Sequence, residues 1–258
     1  MFWPKFIFFL VGLAVGSFLN VVIYRLPRGR SIISPGSFCP KCETPIKFYN
    51  NIPVLSYLFL KGRCKNCNSN ISLRYPIIEL LTGILFYFLF DQKGLGLEFV
   101  VSVFFVSLLI TISFIDLDFQ IIPDVLSIGG LFVGLFLSFF RNPHFYFKDS
   151  IYGALVGGGI LFIIAYGYEL LTKREGMGFG DVKLLAMIGS FTGVRGALFS
   201  LISGSLFGTI LGLFLIYVKG KDLRYAIPFG PFLSMGALCF IFFGDNFIWW
   251  ISKTIFSR

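Results

Sequence analysis

Gly176-Met177-Gly178-Phe179-Gly180-Asp181-Val182-Lys183 sets one carboxylate behind three alternating glycines, between two long apolar runs. A carboxylate at the edge of hydrocarbon is costly without a partner or a task, so such an aspartate is read first as a functional residue. The glycines let backbone approach Asp181 with no Cβ in the way, which suits a site that admits an extended peptide or another helix. The surrounding chain decides what kind of protein carries this stretch. Of its 258 residues, 56% are hydrophobic and 35 are phenylalanine, more than a soluble core of that size buries. Several runs reach the roughly 20 apolar residues that span a bilayer. The expected fold class is an all-α polytopic membrane protein in contact with the lipid bilayer.

The net charge of +9 does not point to nucleic acid, because the basic residues gather in loops between apolar runs, where they set membrane orientation. The first run, Phe6 to Tyr24, is longer than a signal peptide's and ends without a small-residue cleavage site, so it reads as a retained helix. It closes the first segment, residues 1–24. Residues 25–75 form a polar loop with Arg25, Arg28, Arg30, Lys41, Lys47, Lys61, Arg63, Lys65 and Arg74 against the single acid Glu43. That excess places the loop in the cytoplasm and the N-terminus outside. Residues 76–258 form the helical core. Its predicted spans are Pro76 to Phe90, Leu97 to Ile115, Val125 to Phe140, Ile151 to Leu171, Val182 to Thr192, Ala197 to Val218 and Phe229 to Phe243, eight with the first. The fifth crosses a flexible Gly157-Gly158-Gly159 and is closed by Lys173 and Arg174. A turn at Gly193 to Gly196 joins the next two, and Lys219, Lys221 and Arg224 mark a cytoplasmic end. Trp249 and Trp250 read as interfacial anchors.

In this topology two inward-running helices finish in acid at one membrane face: Asp116 ends one, and Asp181 lies just beyond the other. Two carboxylates converging on one water can divide general-base and general-acid work, the chemistry of aspartyl proteases. The one histidine, His144, is expected in an outer loop and competes for no role. Other readings stay open from spacing alone: capping of helix N-termini, for which Asp124 is placed, a solvated Asp118, or a proton-coupled membrane transporter using the two aspartates.

Cys39-Pro40-Lys41-Cys42 and Cys64-Lys65-Asn66-Cys67 are two C-x-x-C pairs in the loop assigned to the cytoplasm. Reducing conditions disfavour disulfides there, and four thiolates from two knuckles can make a tetrahedral, structural zinc site with no open position for water, a redox dithiol being the other reading. Cys239, alone in the last span, reads as packing. A membrane anchor with a zinc knuckle would leave the paired acids without a task.

Asp116 with Ile122-Pro123-Asp124, and Gly178-Phe179-Gly180-Asp181 some 65 positions after Asp116, resemble the two signature regions of the type IV prepilin leader peptidases, within the wider class of GxGD aspartyl proteases. The likeness covers nearly the whole chain. Gly16-Ser17-Phe18-Leu19-Asn20-Val21-Val22 with Tyr24-Arg25-Leu26-Pro27 is similar to the family's opening helix, Arg74-Tyr75-Pro76 with Glu79 and Gly83 to its second, and Pro228-Phe229-Gly230-Pro231-Phe232 to its last. The resemblance implies that Asp116 and Asp181 are the catalytic aspartates. The substrates it implies are type IV prepilins or pilin-like pseudopilins, cut after a glycine near the cytoplasmic face of a bacterial inner membrane. It also implies N-methylation of the new amino terminus with S-adenosylmethionine as donor. Gly62, in Lys61-Gly62-Arg63-Cys64, matches a block associated with methylation, and a plain turn glycine is the rival reading. Asn20 and Glu79, polar groups at membrane depth, either line the site or pair between helices, and pairing is the expectation.

Overall fold

The computed structural model describes residues 2–141, 147–173, 178–219 and 228–256. His144, Arg174, Gly176, Met177, Lys221 and Arg224 lie outside the described residues, as do the side chains of Trp249 and Trp250. The long elements are all helical: α1 (Phe2–Arg25), α2 (Leu55–Phe59), α3 (Arg74–Lys93), α4 (Leu97–Phe119), α5 (Asp124–Ser138), α6 (Phe147–Thr172), α7 (Phe179–Lys219) and α8 (Gly230–Phe256). Among the described residues, extended pairing is limited to the isolated bridges Phe38 with Pro45 and Arg63 with Asn70. Helices satisfy their own backbone polar groups, which hydrocarbon requires. Among the described residues, four stretches are long and apolar enough to cross a membrane: Trp3–Arg28, Leu97–Phe119, Phe147–Thr172 and Phe179–Leu215. Asp124–Ser138 and Gly230–Gly244 are shorter apolar helices. The protein is a multi-pass membrane protein.

Contacts group the chain into two compact units, Met1–Thr111 and Ile112–Arg258. In the first, α1 lies against α3 where both carry small residues. A Cβ on Gly12 would sit 2.7 Å from Gly83 Cα, and one on Gly16 would sit 2.7 Å from Glu79 Cα. Backbones approach this closely only where side chains are missing. Asn20 Nδ2 donates to Tyr75 O at 3.1 Å, so one of the expected interhelical pairs forms. Glu79 makes the other, with a hydrogen bond from Ser17 of α1, and also accepts from the backbone of the loop, Val54 N at 2.7 Å. The rings of Phe8, Phe90 and Phe99 cluster with centroids 4.3 to 5.7 Å apart. Arg25, counted above among orienting charges, is buried and donates to the carbonyls of Ser31, Pro35 and Gly36, folding the chain back after α1.

In the second unit, α7 is broken at Gly193, where φ 71° and ψ −174° fall in a region open essentially to glycine alone. The expected four-residue turn is thus a single-residue break between residues 179–192 and 194–219. A continuous 37-residue helix would run about 55 Å, well beyond the ~30 Å of hydrocarbon. Near the break, Ser150 Oγ donates to Ser190 O at 2.6 Å and Arg141 Nη1 to Phe191 O at 2.7 Å, satisfying carbonyls at the interrupted ladder. The glycines of α6 are not a flexible joint. A Cβ on Gly157 would sit 2.7 Å from Leu185 O and one on Gly158 3.0 Å from Ala186 Cβ, so these two belong to the face on which α7 packs, whereas one on Gly159 would meet nothing within 4 Å.

Candidate active site and metal centre

Three helix ends of the second unit meet at Asp116. The side chain belongs to the last turn of α4, one turn before the helix closes with Gln120 N bonded to Asp116 O at 2.8 Å. It is 5% exposed, and its Oδ2 accepts from Gly230 N at 3.0 Å, the first residue of α8. A helix N-terminus offers unpaired N–H groups and positive potential, so it orients a carboxylate placed there. Pro231 suits α8's start because the N–H it lacks is one with no intrahelical acceptor. Asp181 lies in the first turn of α7 rather than in the connection before it, and its backbone N donates to Gly178 O at 3.1 Å. The two carboxylates act on one another electrostatically.

Ile122 wedges between the glycines of the site. A Cβ on Gly180 would sit 3.0 Å from Ile122 Cβ, and one on Gly230 would sit 2.7 Å from Asp116 Oδ2 and 3.4 Å from Ile122 Cδ1. The glycines beside Asp181 and before Pro231 are therefore spacers that let helix ends converge. Gly230 is the functional partner that sequence reasoning did not place in the site, although Pro228-Phe229-Gly230-Pro231 carries a helix-start signal. The competing acids are accounted for differently. Asp118 is exposed. Asp124 is not an N-cap: Pro123 holds that position, and Asp124 Oδ1 pairs with Lys183 Nζ at 2.7 Å.

In the first unit the four cysteines come together. Their Sγ atoms all lie within 4.8 Å of one another, with Cys39 and Cys67 3.9 Å apart. A tetrahedral zinc with Zn–S bonds of about 2.3 Å needs sulfurs roughly 3.8 Å apart, so the donor set fits a metal. The two knuckles are built alike, 25 residues apart. Cys39 N donates to Thr44 O and Glu43 N to Cys39 O; Cys64 N donates to Ser69 O and Asn68 N to Cys64 O. Glu43 and Asn68 both have φ 54°. The Thr44 side chain, then its backbone and the Asn66 amide, pull the Cys42 thiol down to about 6, toward the thiolate a metal requires. Gly62, just before the second knuckle, has φ 67°, and a Cβ there would sit 2.8 Å from Tyr57 Oη.

The chain matches the Bacterial Peptidase A24 N-terminal domain over residues 10–92 and the Type IV leader peptidase family over residues 103–213. It is 36% identical to a prepilin leader peptidase/N-methyltransferase of Aeromonas salmonicida (strain A449), over 96% of this chain and 93% of that protein. It is also 36% identical to one of Legionella pneumophila (96% and 95%) and 34% identical to one of Neisseria gonorrhoeae (93% and 90%). No solved structure matches it. With both halves of the chain matched in order and relatives aligned nearly end to end, the chain belongs to the type IV leader peptidase family.

Proposed function

We propose that this protein removes the leader of type IV prepilins and pilin-like proteins, with Asp116 and Asp181 dividing the acid and base work, and methylates the amino terminus so exposed. The observation that carries the aspartate assignment is the different placement of four nearby acids. Asp116 is buried and oriented by Gly230 N, and Asp181 interacts with it, whereas Asp118 is exposed and Asp124 is held by Lys183. One carboxylate takes a proton from water as its oxygen attacks the scissile carbonyl, and the other donates a proton to the departing amine. The pair titrates as a unit, so neither role belongs to one residue. A relay for proton-coupled transport is not favoured, because Asp116 sits in the last turn of α4 and Asp181 in the first turn of α7, rather than near the middle of a span.

The chain crosses the bacterial inner membrane eight times, with the N-terminus outside and the aspartates at the cytoplasmic face. The cationic loop of residues 25–75 supports that orientation, and the break at Gly193 supports counting α7 as two crossings. Cys39, Cys42, Cys64 and Cys67 hold a structural zinc, whose four protein ligands leave no position for substrate. S-adenosylmethionine supplies the methyl group, which passes to the neutral amine as the carbon–sulfur bond breaks and its electron pair stays on sulfur. Gly62 belongs to the methylating half of the molecule.

The test is cleavage of a prepilin in detergent by wild type, Asp116→Asn and Asp181→Asn, with zinc content measured on each sample. Losing an acid–base carboxylate lowers the rate by about 10²–10⁴-fold. Cleavage within tenfold of wild type by either variant removes that residue from the pair. Incorporation of labelled methyl into the cleaved product tests the second activity.

A further inference from the structure

The first unit holds a half-open cavity of about 680 Å³, inside the range of roughly 300–1,000 Å³ that takes a small organic ligand. Asn20 lines it from α1, Glu79 from α3, Tyr49 and Tyr57 from the loop between them, and Cys39 and Lys41 from the first knuckle. Asn20 is 2% exposed, and its Nδ2 is spent on Gly16 O and Tyr75 O. Its Oδ1 is buried with no hydrogen-bond partner. A buried acceptor left this way is unfavourable, and a donor that reached it from the cavity with a small shift of the Asn20 side chain would recover that loss. Glu79, also buried, is held by Val54 N, so its carboxylate is set in place beside the same space.

We infer that this cavity seats the methyl donor, an inference that rests on the methyltransferase reading above. S-adenosylmethionine matches the lining group by group. Its N–H groups can donate to Asn20 Oδ1, and its cationic centres lie against Glu79 and the tyrosine faces. Its carboxylate would pair with Lys41, which lines the same cavity. Gly62 acts at one remove, as a positioning residue. Its missing Cβ leaves room for the Tyr57 hydroxyl, and any other residue there would both strain φ and displace a ring that lines the cavity.

The experiment is equilibrium dialysis of radiolabelled S-adenosylmethionine against the zinc-loaded full chain in detergent: wild type, Glu79→Gln and Tyr57→Leu. Zinc content and thermal midpoint serve as checks of folding. Both variants are expected to bind at least tenfold more weakly. Gly62→Ala is expected to raise the donor's KM with kcat within twofold. Photolabelling of wild type with the methyl-labelled donor, followed by peptide mapping, asks the same question with no variant, and the label is expected within residues 17–79. Variants that bind and methylate as wild type does, or label confined to residues 112–256, would overturn the cavity assignment alone. Wild type that cleaves prepilin yet neither binds the donor nor methylates would overturn the methyltransferase reading, and the assignment with it.

Discussion

Gly230→Ala probes how far catalysis depends on the orientation of Asp116. The added Cβ would lie 2.7 Å from Asp116 Oδ2 and 3.3 Å from Cγ, where ordinary contact begins near 3.4 Å. The carboxylate must therefore retreat by about 0.7 Å, stretching its 3.0 Å bond from Gly230 N past hydrogen-bond range. Backbone strain is not involved, since Gly230 lies outside the left-handed region. Misplacing a reacting group by about 1 Å costs on the order of 10²-fold in rate. The expected loss in kcat is therefore about 10–100-fold, or roughly 1.4–2.7 kcal/mol of barrier, with KM for the precursor little changed. Steady-state cleavage of a prepilin in detergent measures it. Gly129→Ala is the companion variant, because a Cβ at that site in α5 meets nothing within 4 Å, and it should cleave as wild type does. If Gly230→Ala also cleaves within twofold of wild type while keeping its thermal midpoint, the Gly230–Asp116 contact is not what holds the site.

Asp124→Asn should retain cleavage and lower stability by no more than about 1 kcal/mol, because its pair with Lys183 is largely exposed; a tenfold drop in kcat would instead draw Asp124 into the chemistry. Cys42, with its thiol pulled down to about 6 from an ordinary 9.0, adds stability to the loop that is fully present above pH 9 and fades as pH falls toward 6. Zinc retention, followed with a chromogenic chelator, should accordingly fall on acidification, and retention unchanged at pH 5 would argue against thiolate ligation. Gly153→Leu should prevent α6 from docking on α7, since even a Cβ there would lie 2.7 Å from Gly193 Cα; a protein with the wild-type thermal midpoint would show that the two helices do not meet at this point.

Much of the candidate site was legible because it is written in local chemistry. Two C-x-x-C pairs announce a four-thiolate cluster at any fold, and an aspartate behind glycines at the end of an apolar run announces an acid with a task. The choice of Asp116 over its neighbours in Asp116-Leu117-Asp118 was not legible in spacing, since helical phase and the position of α8 decide which acid is buried. The pairing of Asp124 with Lys183 joins residues 59 apart, and no local signal reports it. Arg25 reads as a membrane-orienting charge, yet burial turns it into an anchor for three loop carbonyls. Gly157 and Gly158 of α6 read as flexible because glycine is permissive alone, whereas a packed neighbour makes the same absence of a side chain a contact surface.

The sequence by itself determined the membrane-embedded helical class, the four cysteines that gather in one cluster and the pair of acids that lie at neighbouring helix ends. Each depends on hydrophobicity summed along one segment or on residues close together in the chain. Only the tertiary structure decided that Gly230 orients Asp116, that Ile122 fills the space its glycine neighbours leave, and that Asn20, Glu79 and Tyr57 line one cavity. Those relations are made by backbones approaching across tens to more than a hundred residues, and side-chain size at the point of contact sets the outcome.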